Sequence, residues 1–151
     1  MKRLLSAALP VMLWLFGSTA PLSAQTLLTW KDLARVDYAS QMDDALGYLV
    51  MKPVYAPQLK ALDGQRVQIK GYVLPIDTQG QQYILSAFPY SNCFFCGGAG
   101  RESVLELKLA DTSATYEMDE VRVFEGVLVL SEDPFGLNYY LTEARPVRES
   151  H

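Results

Sequence analysis

The chain has 151 residues, half of them hydrophobic, with thirteen Lys and Arg against seventeen Asp and Glu for a formal net charge of −4. That length fits one domain with a core of its own. The acidic balance argues against a nucleic-acid or anionic-membrane surface, either of which needs a basic face.

Lys2 and Arg3 precede an almost unbroken apolar run over residues 4–16, and small residues dominate 17–24. This is the layout of a secretory signal peptide over residues 1–24, cut after Ala24 to leave Gln25 first. The apolar run is shorter than the ~20 residues a membrane-spanning helix needs, so no membrane insertion is expected after cleavage. No cysteine adjoins the cleavage site, which excludes a lipid anchor there. The expected location is a bacterial periplasm, and loss of Lys2 and Arg3 takes the formal charge to −6.

Residues 25–62 form an N-terminal arm with mixed signals. Trp30, Leu33 and Val36 are spaced for a short helix or irregular segment that packs Trp30 inward. Pro53 and Pro57 punctuate the chain, and residues 58–62 fit one helical turn. Asp63-Gly64 is a turn signal, and the main domain is expected over 63–151. In residues 66–74, Val67, Ile69 and Val73 share one face and Gln68 and Lys70 the other, with Gly71 interrupting the apolar face where a strand coils or bulges. A turn at 77–80 leads to a return strand over 83–88, and a loop of about a dozen residues carries the cysteines. Residues 103–109 alternate as a half-buried strand, 110–120 form a polar connection with room for a short helix, and 121–130 make the longest strand, with Gly126 as a second bend. The last strand covers 139–144. Five strands with glycines inside two of them predict a mainly β fold. The first choice is a small five-stranded closed barrel of the oligonucleotide/oligosaccharide-binding type, with an N-terminal arm and short helical segments; a β-sandwich is second.

The only cysteines, Cys93 and Cys96, stand in Asn92-Cys93-Phe94-Phe95-Cys96-Gly97-Gly98-Ala99-Gly100. Three chemistries fit two thiols at this spacing. In an oxidising compartment they form a structural bridge. As a metal half-site, Cys-x-x-Cys-Gly has the shape of a zinc knuckle, whose glycine permits a turn that aims amides at the sulfurs. A closed zinc site needs four ligands. Beyond the two thiols, the candidates are Glu102, His151 (the only histidine), a second subunit or a partner. The third chemistry is thiol–disulfide exchange, but Gly97-Gly98-Ala99-Gly100 is a poor helix start and no basic residue lies within the pair to favour a thiolate.

The stretch Leu62-Asp63-Gly64-Gln65-Arg66-Val67 through Gly71-Tyr72-Val73-Leu74-Pro75, followed by Cys93-Phe94-Phe95-Cys96-Gly97-Gly98-Ala99-Gly100-Arg101-Glu102-Ser103, resembles a bacterial family of exported domains of unknown function. The likeness spans roughly residues 50–145, and the family's motif usually has proline where Arg101 stands. Members of that family occur beside ABC-transporter components of the lipoprotein-release or macrolide-export type, some in systems that respond to zinc supply. The resemblance implies a periplasmic accessory to an ABC-type transporter, with Cys93 and Cys96 facing a metal ion.

Other features read as packing or surface. Tyr83, Phe88, Tyr90, Phe94, Phe95, Phe135, Tyr139 and Tyr140 are expected in the core or at its rim, with a ligand groove as the alternative. The acidic clusters at 43–44, 117–120 and 132–133 are expected to be solvated. No nucleophile elbow, P-loop or paired-histidine motif is present. The combined expectation is a binding protein rather than an enzyme: it binds or hands over a transition metal, zinc first and Cu(I) next, through Cys93 and Cys96. Thiol–disulfide exchange and a partner-binding module with an inert bridge are the alternatives.

Overall fold

The structure is a computed structural model that describes residues 26–77 and 82–148. The signal-peptide segment, most of the turn at 77–80, and His151 lie outside the described residues. In chain order the elements are β1 (Thr26–Leu27), α1 (Trp30–Leu33), β2 (Val36–Asp43), β3 (Tyr48–Tyr55), α2 (Pro57–Lys60), β4 (Arg66–Pro75), β5 (Tyr83–Ser86), β6 (Val104–Leu109), β7 (Glu120–Leu130) and β8 (Tyr139–Pro146). Three 3₁₀ turns, at Tyr90–Asn92, Phe94–Cys96 and Arg101–Ser103, lie between β5 and β6.

The apolar alternation in β4 does what its spacing requires: Val67, Ile69 and Val73 all face inward and are sealed from solvent. Strands β4, β5, β6, β8 and β7 pair in that order, and β7 pairs back onto β4 to close a five-stranded barrel. The β6–β8 pairing is parallel and the rest are antiparallel. This is the expected barrel, and closure leaves no long exposed edge.

On the edge away from β7, β4 meets two different neighbours: Val67 and Gln68 pair with β1, and residues 72–75 pair with β5. Gly71 sits between the two pairings. A Cβ there would lie 2.7 Å from the Ser86 carbonyl oxygen and 2.8 Å from the Leu85 side chain, so no larger residue fits the bend. At the second expected bend, Gly126, the register of β7 against β8 shifts between Glu125 and Val127.

Both short helices are where the sequence pointed. Thr29 and Asp32 form a reciprocal capping box on α1. The Trp30 indole N–H donates to the Lys70 carbonyl at 2.7 Å, pinning the arm to β4. Pro57 opens α2, whose Leu59 is buried in the main core. The connection at 110–119 carries turns and no helix, contrary to the sequence expectation; Asp111 caps its own turn by accepting from the Ser113 amide and hydroxyl.

The arm also contains a hairpin that the sequence did not signal. Eight residues of β2 pair with eight of β3, from Val36↔Tyr55 to Asp43↔Tyr48. At its tip the Asp43 carboxylate accepts the Ala45 and Leu46 amides and pairs with Lys52 at 3.3 Å. Its root is clasped to the barrel. Asn138 Nδ2 donates to the Tyr38 hydroxyl at 2.6 Å, and the Tyr55 hydroxyl donates to the Ser131 and Asn138 carbonyls. Among the described residues no helix is long and apolar enough to cross a membrane.

Candidate functional site

The cysteine loop begins where β5 stops. The sequence suggested a strand to Phe88, but the Ser86 hydroxyl accepts the Phe88 amide at 3.1 Å and turns the chain after Ser86. The loop is then closed at its neck by Ala87 N–H donating to the Ser103 carbonyl at 2.9 Å. A second tie holds its side, the Tyr90 amide donating to Asp119 Oδ1 at 2.7 Å. Arg101 holds the far flank through Nη1 to the Pro134 carbonyl at 2.9 Å, so its charge is spent on the β7–β8 loop rather than on the thiols.

Inside this frame Phe94–Cys96 make one 3₁₀ turn that ends on Gly97, whose φ of 74° is left-handed. The Cys93 carbonyl accepts both the Cys96 amide (3.2 Å) and the Gly98 amide (3.1 Å). Gly98 is pressed onto the chain upstream, with its would-be Cβ 2.6 Å from the Asn92 oxygen. The turn is tight, but the amides of Cys96, Gly97 and Gly98 are given to carbonyls rather than aimed at sulfur.

The two thiols are unbridged and unequal. Cys93 is fully buried in a small cluster with Leu74, Ile84 and Val104, backed by Phe94 and Leu137, whereas Cys96 is exposed. They flank a single 3₁₀ turn. Partial desolvation within the loop, then the neighbouring Cys93, push the Cys96 thiol above its ordinary value, and the Tyr90 side chain pulls the other way.

Of the two additional ligand candidates, Glu102 does not join the pair. The Glu102 carboxylate folds over Gly100 and helps hold Tyr139 protonated. His151 lies outside the described residues. Among the described residues no three His, Cys, Asp or Glu side chains gather in a metal-holding group. The structure sets Cys93 and Cys96 at the ends of one 3₁₀ turn, and among the described residues no third donor gathers beside them.

The expected aromatics divide by position. Tyr83 and Tyr139 are core, while Phe88, Tyr90, Phe95 and Phe135 are exposed. Phe95 forms part of the wall between two hollows, of about 540 and 400 Å³. The floor of the larger one is an in-register row across three strands, Ile84–Glu106–Tyr140, and its far wall is Phe135. In this barrel type that strand face, flanked by the first and last loops, is the ligand-binding side. Sequence reasoning named most of these residues singly. It missed the row, because cross-strand register is not written in any one segment.

No family model matches the chain, and no curated protein does. Among solved structures, the chain is similar to a DUF3299 family protein from Pseudomonas aeruginosa, with 19% sequence identity, a TM-score of 0.46, and coverage of 85% of this chain and 99% of that one.

Proposed function

We propose that the chain is an exported protein that binds a transition metal ion, zinc or Cu(I), through Cys93 and Cys96 and hands it to a partner of an ABC-type transport system. One observation carries this reading: two unbridged thiols at the ends of one 3₁₀ turn, one of them at the surface, with no third donor gathered beside them among the described residues. Two sulfurs fill half of a tetrahedral zinc sphere and leave the rest for water or a partner's ligands. Cu(I) accepts soft thiolates with fewer donors. An open sphere suits transfer, because an incoming ligand can bind before the outgoing ones leave.

The metal reading is favoured over an oxidoreductase centre by the state of Cys96. A catalytic thiol is acidified by a cation or a helix N-terminus. Here the thiol is pushed the other way and its nearest arginine is committed elsewhere. A metal ion displaces the thiol protons itself, so a raised value makes uptake more pH-dependent without preventing it. Export rests on the layout of residues 1–24 and is tested by sequencing the mature N-terminus, expected at Gln25.

Titration of the reduced protein with Zn(II), and separately with Cu(I), tests the site. Uptake of one equivalent is expected for the wild type, and none for Cys93→Ser/Cys96→Ser. Cys96→Ser alone, changed at an exposed position, loses uptake without disturbing the core. Equal uptake by wild type and Cys96→Ser would end the assignment.

A further inference from the structure

We propose that Cys93 and Cys96 form a thiol switch: an accessible disulfide oxidises the pair through Cys96, and Cys93 closes the bridge from below. The covalent step stands apart from the metal reading. Its consequence, that a bridged pair cannot hold an ion, rests on that reading.

The geometry assigns the two roles. Cys96 is exposed, so an incoming disulfide can reach its sulfur, while Cys93 is sealed under Phe94 and Leu137 and can be reached only by its neighbour. The loop fixes the backbone on both sides of the pair, at the two ends of one 3₁₀ turn, before any bond forms. Its neck is closed by Ala87 and Ser103, its side is tied by Tyr90 to Asp119, and both the Cys96 and Gly98 amides converge on the Cys93 carbonyl. Closing the ring therefore costs little loop ordering, which has already been met on folding.

The exchange balances in two displacements. Cys96 gives its proton to solvent and the resulting thiolate attacks one sulfur of a disulfide RSSR, forming a Cys96–S–S–R bond and releasing RS⁻. Cys93 then gives its proton to solvent and attacks the Cys96 sulfur, forming the Cys93–Cys96 bond and expelling the second RS⁻. Two protein thiols lose two electrons and two protons, and RSSR leaves as two RSH. The co-reactant is a small or surface-exposed disulfide, because nothing larger than an exposed sulfur is needed for the first step.

Reduced full-length protein is incubated with glutathione disulfide, quenched with acid and measured by intact mass and peptide mapping. Wild type is expected to become two hydrogens lighter with no lasting adduct, and Cys93→Ala to accumulate a glutathione adduct on Cys96. Cys96→Ser is expected to react on the order of 100-fold more slowly, through local opening only. If Cys93→Ala fails to fold, early-time peptide maps of wild type must show the transient adduct on Cys96 and none on Cys93. Equal labelling of the two single variants, a persistent wild-type adduct, or two free thiols at excess disulfide would overturn the switch. Metal uptake is measured on the same reduced and oxidised samples. A bridge that forms in a protein that takes up no ion when reduced removes the metal reading and leaves the switch. Ion uptake without bridge formation does the reverse.

Discussion

In the barrel, Val67, Ile69, Phe124, Leu128 and Leu141 are sealed from solvent, whereas on the hairpin Met42, Leu49 and Met51 share one face of the ribbon and stay exposed. Both regions are held by strand pairing, but pairing alone gives little net stability, since unfolded amides bond to water instead. The barrel adds burial on its inner face, at roughly 25 cal/mol for each Å² removed from water. The hairpin adds a clasp at its root, Tyr38 to Asn138 and Tyr55 to Ser131 and Asn138, and little beyond it. The cysteine loop copies this contrast on a small scale, with Cys93 on the buried side and Cys96 on the open side.

The sharpest way to separate the two regions is to remove core volume. Phe124 is fully buried and stands edge-on to Tyr116, with ring centroids 5.4 Å apart. Phe124→Ala is expected to cost about 3–5 kcal/mol in urea unfolding. A loss below about 1 kcal/mol would mean that the barrel interior is not the stabilising core.

Alkali tests the junction between the regions. Burial, and then Tyr38, hold the Tyr55 phenol well above its ordinary value, and burial, then Tyr55 and Tyr38, do the same for Tyr139. Folded phenols with raised values contribute stability that is intact below about pH 10 and is lost as pH rises, because the unfolded chain ionises first. Stability should be flat up to about pH 10 and then fall by up to about 1.4 kcal/mol per pH unit for each phenol. Tyr139→Phe should make that fall shallower, and the Leu33 carbonyl that its hydroxyl now serves at 2.6 Å would lose its partner.

Next in size is the cysteine pair. Cys93→Ser puts a hydroxyl among Leu74, Ile84 and Val104 and is expected to cost about 1–3 kcal/mol. Cys96→Ser should stay within about 0.5 kcal/mol, as surface changes do. Comparable losses at the two positions would contradict the assigned asymmetry.

Much of the barrel was legible because its strands are half-buried. Alternation at Val67, Ile69 and Val73, and again at Leu105 and Leu107, is a local signal, and Gly71 and Gly126 marked the bends. The hairpin was not legible for the same physical reason that makes it exposed. Val36–Asp43 mixes polar and apolar residues on both faces, and Pro53 inside Tyr48–Tyr55 argued against a strand, though a two-stranded ribbon has free edges that tolerate it. The adjacency of the cysteines was written in their spacing. Which sulfur is buried depends on Leu74, Ile84, Val104 and Leu137, which arrive from four distant segments, and no local pattern encodes that.

The smallest expected effect is the most discriminating. Leu49 faces Met42 across the hairpin and is exposed, so Leu49→Ser removes one cross-strand apolar pair worth about 0.2–1 kcal/mol. If the distal hairpin opens independently of the barrel, that loss appears only in the hydrogen exchange of residues 41–51, with global stability unchanged within about 0.5 kcal/mol. Phe124→Ala should do the opposite, lowering the protection of β4, β7 and β8 amides and leaving the distal hairpin's exchange as it was. Crossed effects, with Leu49→Ser lowering barrel protection by more than about 1 kcal/mol, would show one cooperative unit and a face of the hairpin held by the barrel.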